Sequence, residues 1–469
     1  MLSSTLLLVA PFTPAIFSGH ECSRSNFFGN YGDAGSTFSV LAVSDEACLD
    51  FWASSLTSSH ITPPLQPGTQ LVWFEKASVD VMLQPQDDSA LDELLLSLEA
   101  STTDSTFRQQ DVLAVDNSYA PSPYTLLYRT PTAALVSLEG NKAKVIDTLM
   151  PPFWKSRLLP TSPVDYIPVP ETAVNHVRDV LNKLKFNPLV ASVVNNISLP
   201  QIKNDIRFLT GEDPKSKIVS RHSFSTGALT AANWLKERVE NTGATCRLAP
   251  FLMGFAPNVI CRYASIKDTN STVLISGHYD SRGSFGSTRA PGGDDDGSGT
   301  TGVLSIARTI ARKGVKFHCN VELAFFAGEE QGLLGSAAYA RELRAAGANL
   351  TLMIQADMTA YRAPGEPLQL GLPERIGTPE VTELVSKVAA IYSPELKVGY
   401  SPACCSDHQS FLEQGFPSTQ VFERAGPIAD PMYHNSGDLS DREGYDFEQL
   451  FAIAKVQFAT VLHTAGFEL

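Results

Sequence analysis

The sequence predicts an α/β protein: a three-layer sandwich around a mixed, mostly parallel central sheet, preceded by a small β-rich domain. Three observations predict it. Beyond about residue 170, short β-branched or apolar runs of strand length alternate with longer stretches of helical apolar spacing. From about 20 to 165 the runs instead alternate apolar and polar residues, separated by Pro, Ser and Asp clusters. Between these regions, Leu158 to Pro170 carries Pro160, Pro163, Pro168 and Pro170, whose missing amide protons and fixed φ discourage regular structure.

Taken in order, Met1 to Gly19 has an apolar run at Leu6 to Ala10, too short to span a bilayer and compatible with the apolar centre of a signal peptide. No Lys or Arg precedes Arg24, and Pro11 and Pro14 interrupt the run, so a disordered or cytosolic N-terminus is the alternative. Residues 20–165 follow as the β-rich domain, with strands at Gln70 to Phe74 and Tyr124 to Tyr128. This region is either a propeptide, removed at the accessible Pro-rich boundary, or a retained accessory domain.

Residues 170–469 form the α/β domain, with helical spacing at Leu229 to Val239, Gly299 to Arg312 and Phe447 to Leu462. Its strands are expected at Val273 to Ser276, Val321 to Phe326 and Leu352 to Ala356. No internal repeat and no membrane-spanning run is evident.

Composition narrows the function. The chain has 469 residues, 43% of them apolar, enough for a large core and too long for one small binding module. Against 36 basic residues stand 50 acidic ones, a net charge of −14 that disfavours phosphate backbones and anionic lipid. Nucleic acid is therefore excluded as a partner.

Sequons at Asn196, Asn270 and Asn349 favour secretion. The 7 cysteines leave at least one unpaired or intermolecular. Cys246 and Cys261 flank a strand-turn-strand unit and are the expected cross-strand pair. Adjacent Cys404 and Cys405 form either a vicinal disulfide or two buried thiols.

The residues able to carry chemistry fall just after predicted strands or in Gly-rich turns, where α/β sheets expose ligand-binding side chains. In Ser276-Gly277-His278-Tyr279-Asp280-Ser281 a strand ends on a glycine and delivers an imidazole, with Asp280 placed to hold its second ring nitrogen. In Pro291-Gly292-Gly293-Asp294-Asp295-Asp296-Gly297, three consecutive carboxylates precede a helix. A solvated acidic cap is the plain alternative there. Clustered carboxylates repel one another, however, and a dication relieves the repulsion, so Asp295 is read as a ligand bridging two metals.

In Phe326-Ala327-Gly328-Glu329-Glu330-Gln331-Gly332 two adjacent acids follow an apolar strand. Glu330 can bind metal while Glu329 stays free as a general base. Asp357 after Ala356, and His434 in Tyr433-His434-Asn435-Ser436-Gly437-Asp438, complete a two-metal inventory of carboxylates and imidazoles.

These blocks, with Cys405-Ser406-Asp407-His408 and Gly415-Phe416-Pro417, resemble the co-catalytic dizinc exopeptidase family that includes bacterial and fungal secreted leucine aminopeptidases. The similarity runs from near Ile206-Arg207-Phe208-Leu209-Thr210-Gly211, through Ser220-Arg221-His222-Ser223, to the C-terminus. It covers somewhat more than half of the chain and leaves out the N-terminal region.

The resemblance implies a zinc exopeptidase fold and two Zn2+ ions, one held by His278 and Asp357, the other by Glu330 and His434, with Asp295 shared. It also implies Glu329 as base, Asp280 as the orienting partner, and a cis Asp295–Asp296 peptide. Relatives have a disulfide-bounded loop beside the substrate pocket, with cysteines several residues apart. This chain has Ser401 at the upstream position and Cys404 beside Cys405, which departs from that pattern.

The expected activity is removal of N-terminal residues from peptides, with Tyr400 and Phe422 lining a pocket for a large apolar side chain. A monomer with no membrane span is expected. Alternatives on the same fold are a carboxypeptidase, which needs a cation such as Arg424 to grip the terminal carboxylate, and a one-zinc glutaminyl cyclase. A non-catalytic peptidase-like binding domain is the third.

Overall fold

In the computed structural model the described residues are all but 1–5, 20, 34, 57, 66–67, 85–88, 101–123 and 404. They divide into two compact units: residues 1–77 with 84–165, and residues 78–83 with 166–469.

The first unit contains two four-stranded antiparallel sheets. Strands β1 (Leu6–Pro11), β2 (Phe27–Asp33), β3 (Ser36–Val43) and β4 (His60–Ile61) lie in the order β2-β3-β1-β4. Strands β5 (Thr69–Lys76), β6 (Tyr124–Arg129), β7 (Ala133–Glu139) and β8 (Trp154–Leu158) lie in the order β6-β7-β5-β8. Helices follow the first and third strand of each set, so each half is a β-α-β-β-α-β module of ferredoxin-like topology. The expectation of no repeat is therefore corrected: the two halves share a topology that no sequence period betrays.

Leu7 and Val9 from one sheet and Leu71, Trp73 and Leu135 from the other form a common core. Trp73 stacks between Tyr31 and Tyr128 at centroid distances of 5.4 and 5.7 Å.

Leu6 to Ala10 is the run expected as the centre of a leader. It lies in β1, an inner strand paired with both β3 and β4, in which Leu7, Leu8, Val9 and Ala10 are buried. Met1 to Thr5 lie outside the described residues. Cys22 and Cys48 form a disulfide in this unit.

In the second unit the strands are β9 (Thr245–Ala249), β10 (Asn258–Tyr263), β11 (Ser271–His278), β12 (Lys316–Phe317), β13 (Asn320–Phe326), β14 (Asn349–Ala356), β15 (Gln369–Pro373), β16 (Lys397–Ser401), β17 (Ser418–Val421) and β18 (Phe467–Glu468). Six of them form the central sheet, ordered β17-β14-β11-β13-β10-β9. β17, β14, β11 and β13 run parallel, while β10 and β9 add antiparallel edges. Pairs β12–β18 and β15–β16 are separate small sheets.

Consecutive residues point to opposite faces, and both faces are apolar, as a sheet covered on both sides requires. Val273 and Ile275 join the core that includes helices Thr226–Glu240, Gly297–Lys313, Pro379–Tyr392 and Phe447–Ala465. Leu274 joins the opposite core with Tyr339 of helix Leu334–Ala345 and Phe411 of helix His408–Glu413. This is the three-layer α/β sandwich. The Cys246–Cys261 disulfide joins directly paired residues of β9 and β10.

Candidate metal centre

The parallel strands β11, β13, β14 and β17 all point their carboxyl ends at one edge. His278 is the last residue of β11, Glu329 and Glu330 follow β13, and Asp357 follows β14. The helix Gly297–Lys313 starts at this edge, with Asp296 capping it through Gly299 N–H at 2.8 Å. Two glycines allow the close fit. A Cβ on Gly277 would lie 2.7 Å from Thr300 N, and one on Gly299 would lie 2.3 Å from Ala356 O.

The side chains converge. Asp295 faces one imidazole with each carboxylate oxygen: Oδ1 lies 3.2 Å from His278 Nε2 and Oδ2 lies 3.3 Å from His434 Nε2. Glu330 Oε2 is 3.0 Å from His434 Nε2, and Asp357 Oδ1 is 3.7 Å from His278 Nε2. Asp280 Oδ1 lies 3.4 Å from His278 Nδ1, and the Asp280 backbone carbonyl lies 3.2 Å from the same nitrogen. Its Oδ2 accepts from Ser223 Oγ at 2.9 Å. Asp280 therefore holds the Nδ1–H and leaves the Nε2 lone pair aimed at Asp295 and Asp357.

By distance alone, His278, Asp296 and Asp357 form one potential ligand group, and Asp295, Glu330 and His434 another, each within 4.8 Å. Asp296 fits a ligand role poorly, because its oxygens already accept the amides of His278, Gly299 and Met358 at 3.0, 2.8 and 3.2 Å. Asp295 has no such commitment and sits between both groups. The Asp295–Asp296 peptide is cis, and His434 and Met358 have φ of 54° and 50°. Non-glycine residues held there are sterically costly and tend to mark functional loops.

Electrostatics say what the cluster lacks. Burial favours neutral carboxyls and raises Glu329 and Glu330; His278 opposes that in Glu329 and His434 in Glu330, while neighbouring acids raise both further. In Asp295 burial acts the same way but the two imidazoles win, and its carboxyl is pushed down. Burial would keep His278 neutral, and the surrounding carboxylates overcome it and raise the ring. His278 Nε2 and Glu330 Oε1 are buried without a hydrogen-bond partner. Lone pairs facing carboxylates in a dry site call for cations, and imidazole nitrogen with carboxylate oxygen is a donor set suited to zinc.

Several supporting residues carried no assigned role in the sequence. Arg221 is fully buried and donates to the carbonyls of Tyr279 and Gly292 at 2.7 and 2.8 Å, and to that of Pro291. Asp438 Oδ2 accepts the amides of Asp294 and Asp295 at 3.1 and 3.0 Å. Asp407 is buried near Glu329, and burial raises its carboxyl to about 7. Arg282 Nη1 lies 2.8 Å from His434 Nδ1, where a carboxylate would be the usual partner. The only sequence signal for Arg221, Asp407 and Asp438 was membership of the quoted blocks, and Arg282 lies just past the end of one. Cys405 is disulfide-bonded, and Cys404 lies outside the described residues.

A parallel α/β edge that gathers imidazoles and carboxylates around shared positions is a candidate metal centre of the kind metal-assisted hydrolysis uses. The model of Peptidase family M28 matches residues 258–459. A "Probable leucine aminopeptidase" of Arthroderma otae is 29% identical over 60% of this chain and 77% of that protein. "Leucine aminopeptidase 1" of Sclerotinia sclerotiorum is 31% identical over 53% of this chain and 71% of its own length. This chain belongs to peptidase family M28.

Among solved structures, the Legionella pneumophila LapA aminopeptidase shares the fold, with a TM-score of 0.57 at 17% identity. It covers 86% of this chain and all of that one.

Proposed function

We propose that this chain is a secreted dizinc aminopeptidase that removes N-terminal residues, large apolar ones by preference, from peptides. The observation that carries the reading is Asp295, whose two oxygens face His278 and His434 at 3.2 and 3.3 Å, the arrangement a carboxylate shared by two ions needs. His278 and Asp357 would hold one zinc, and Glu330 and His434 the other. When bound, the ions supply Lewis acidity and lower the pKa of a water from about 15.7 towards 7.

The protein's own part is to place groups. Glu329, beside Glu330 and without a ligand role, accepts the proton of the attacking water and returns it to the leaving amine. Asp280 fixes the tautomer of His278. The carboxyl groups around Glu329 and Glu330 would accept hydrogen bonds from a free α-amine, which favours end recognition at the N-terminus.

The carboxypeptidase alternative needs a free cation. Arg424, the candidate, is instead committed to Glu366 at 2.6 Å and to Asp80 at 2.9 Å. Disulfides Cys22–Cys48 and Cys246–Cys261 support an oxidising, extracellular setting.

The test is zinc analysis of the purified enzyme with hydrolysis of leucine p-nitroanilide and of N-blocked dipeptides. Two equivalents of zinc and cleavage of free N-termini only are expected. One equivalent with cyclisation of N-terminal glutamine would replace this reading by a glutaminyl cyclase, and no zinc by a binding domain. Glu329→Gln should keep both metals and lose turnover about 10²- to 10⁴-fold, the usual contribution of a positioned base. Undiminished turnover would reject the base.

A further inference from the structure

The residues that build the second unit are not all C-terminal. Between β5 and the helix Ala90–Ala100 the chain leaves the first unit, contributes Ser78–Leu83 to the second, and returns. Within the second unit this segment is paired rather than draped. Val79 bridges Ile428 in parallel fashion, Asp80 N–H donates to Ile428 O at 2.7 Å, and Ile428 N–H donates to Ser78 O at 2.9 Å. Val79 and Ile428 are both buried. Asp80 Oδ2 accepts from Arg424 Nη1 at 2.9 Å, while the rest of that guanidinium grips Glu366 at 2.6 and 3.0 Å. Arg424 Nη1 also donates to Pro427 O at 2.8 Å.

The residues so fastened belong to the loop that runs from the end of β17 to His434. At its start, Glu423 N–H donates to Met358 O at 2.9 Å, next to Asp357. Near its end, Asp430 is paired with Arg442. Between these anchors the loop has little secondary structure, and Ser78–Leu83 supplies its backbone partner at Ile428. The loop delivers a ring at a φ of 54°, a conformation that persists only where neighbours enforce it.

We propose that Ser78–Leu83 is a strut of the peptidase unit, contributed by the N-terminal half of the chain, that positions His434. Asp80 is a positioning residue acting through Arg424 and the loop. The N-terminal region is then a retained part of the working enzyme, because its removal would withdraw the strut. This inference rests on the dizinc reading above.

The test uses the full-length protein and zinc itself as the probe. Asp80→Pro removes both the carboxylate and the amide that Ile428 accepts; Asp80→Ala removes the carboxylate alone, and Asp80→Glu restores it. Competition with a chelator should find one of two zinc ions bound about tenfold more weakly in Asp80→Pro, the low end of what loss of an outer-shell support costs. The other ion should be unchanged, Asp80→Ala intermediate, and Asp80→Glu near wild type. Cobalt(II) substitution, read by its visible spectrum, reports the same site independently of turnover.

Because Asp80→Pro could disturb folding, the wild-type chain with a protease site inserted between Thr161 and Ser162, both exposed, gives a second measurement. After cutting, the fragments should co-elute without denaturant and the nicked protein should keep wild-type affinity for both ions, because the strut stays in place. Wild-type affinity for both ions in a folded Asp80→Pro, or fragments that separate without denaturant, would overturn the strut. A wild-type protein that binds no zinc would instead overturn the dizinc reading.

Discussion

Asp280→Asn isolates the orienting role of one buried carboxylate. The substitution keeps the shape and removes a charge. In the wild type, Oδ1 faces His278 Nδ1 and Glu329 N–H, each at 3.4 Å, while Oδ2 accepts from Ser223 Oγ at 2.9 Å and faces Glu330 N–H at 3.4 Å. Every neighbour is a donor. An asparagine has one acceptor end, so its NH2 must meet donors on one side or the other.

Leaving a buried donor unmatched costs about 1–3 kcal/mol. If that strain falls on the His278 orientation, each 1.4 kcal/mol or so is tenfold in affinity, and the ion held by His278 should bind roughly tenfold to hundredfold more weakly. Losses of that size are usual when the partner of a metal-bound histidine is removed. The assay is a chelator-competition titration on wild type and variant at equal pH, with a thermal melt to verify folding. Two unchanged zinc affinities in a folded Asp280→Asn would refute the idea that Asp280 sets the ring.

Two further outcomes follow from the fold. Replacing Cys246 and Cys261 by alanine opens a cross-link spanning 15 residues, for which chain entropy gives about 3 kcal/mol, so the denaturation midpoint should fall clearly while zinc content stays the same. An unchanged midpoint would mean that the β9–β10 pairing alone holds that edge. Separately, Asn349 Nδ2 donates to Asn270 Oδ1 at 3.0 Å, so two sequons present adjacent amides. Expression in a glycosylating host should yield one glycan at most on that pair, by intact mass, with Asn270→Gln leaving Asn349 available. Two glycans on one folded molecule would contradict the geometry.

What was legible in the sequence was whatever a strand end makes local. His278, Glu329, Glu330 and Asp357 each sit within a few residues of a β-branched or aromatic run, and the parallel order of β11, β13 and β14 does the gathering. Predicted helices and strands fell within a few residues of the observed ones, as at Gly299 to Arg312 against Gly297–Lys313. What was not legible was support that arrives through backbone. Arg221 works by donating to carbonyls of Tyr279, Pro291 and Gly292, and Asp438 by accepting amides of Asp294 and Asp295. A backbone carbonyl or amide is the same in any residue, so no pattern of side chains announces those contacts.

The N-terminal unit was ambiguous in the sequence for a related reason. An inner antiparallel strand is covered on both sides and becomes a short continuous apolar run, which is also how the centre of a leader reads. Leu6 to Ala10 satisfies both descriptions, and in the fold Leu8 pairs with Leu41 on one side and Ile61 on the other. The repeat was hidden because topology constrains where strands lie and not which residues fill them. β1 and β5 occupy equivalent places, yet one reads LLLVAP and the other TQLVWFEK. Part of the unequal spacing between equivalent strands has a physical reason too: the second module admits Ser78–Leu83 between its first strand and first helix, where the first module has only a short turn. An insertion between β5 and the helix that follows it, kept in a chain whose other half needs a partner for Ile428, is what a strut serving the metal loop predicts.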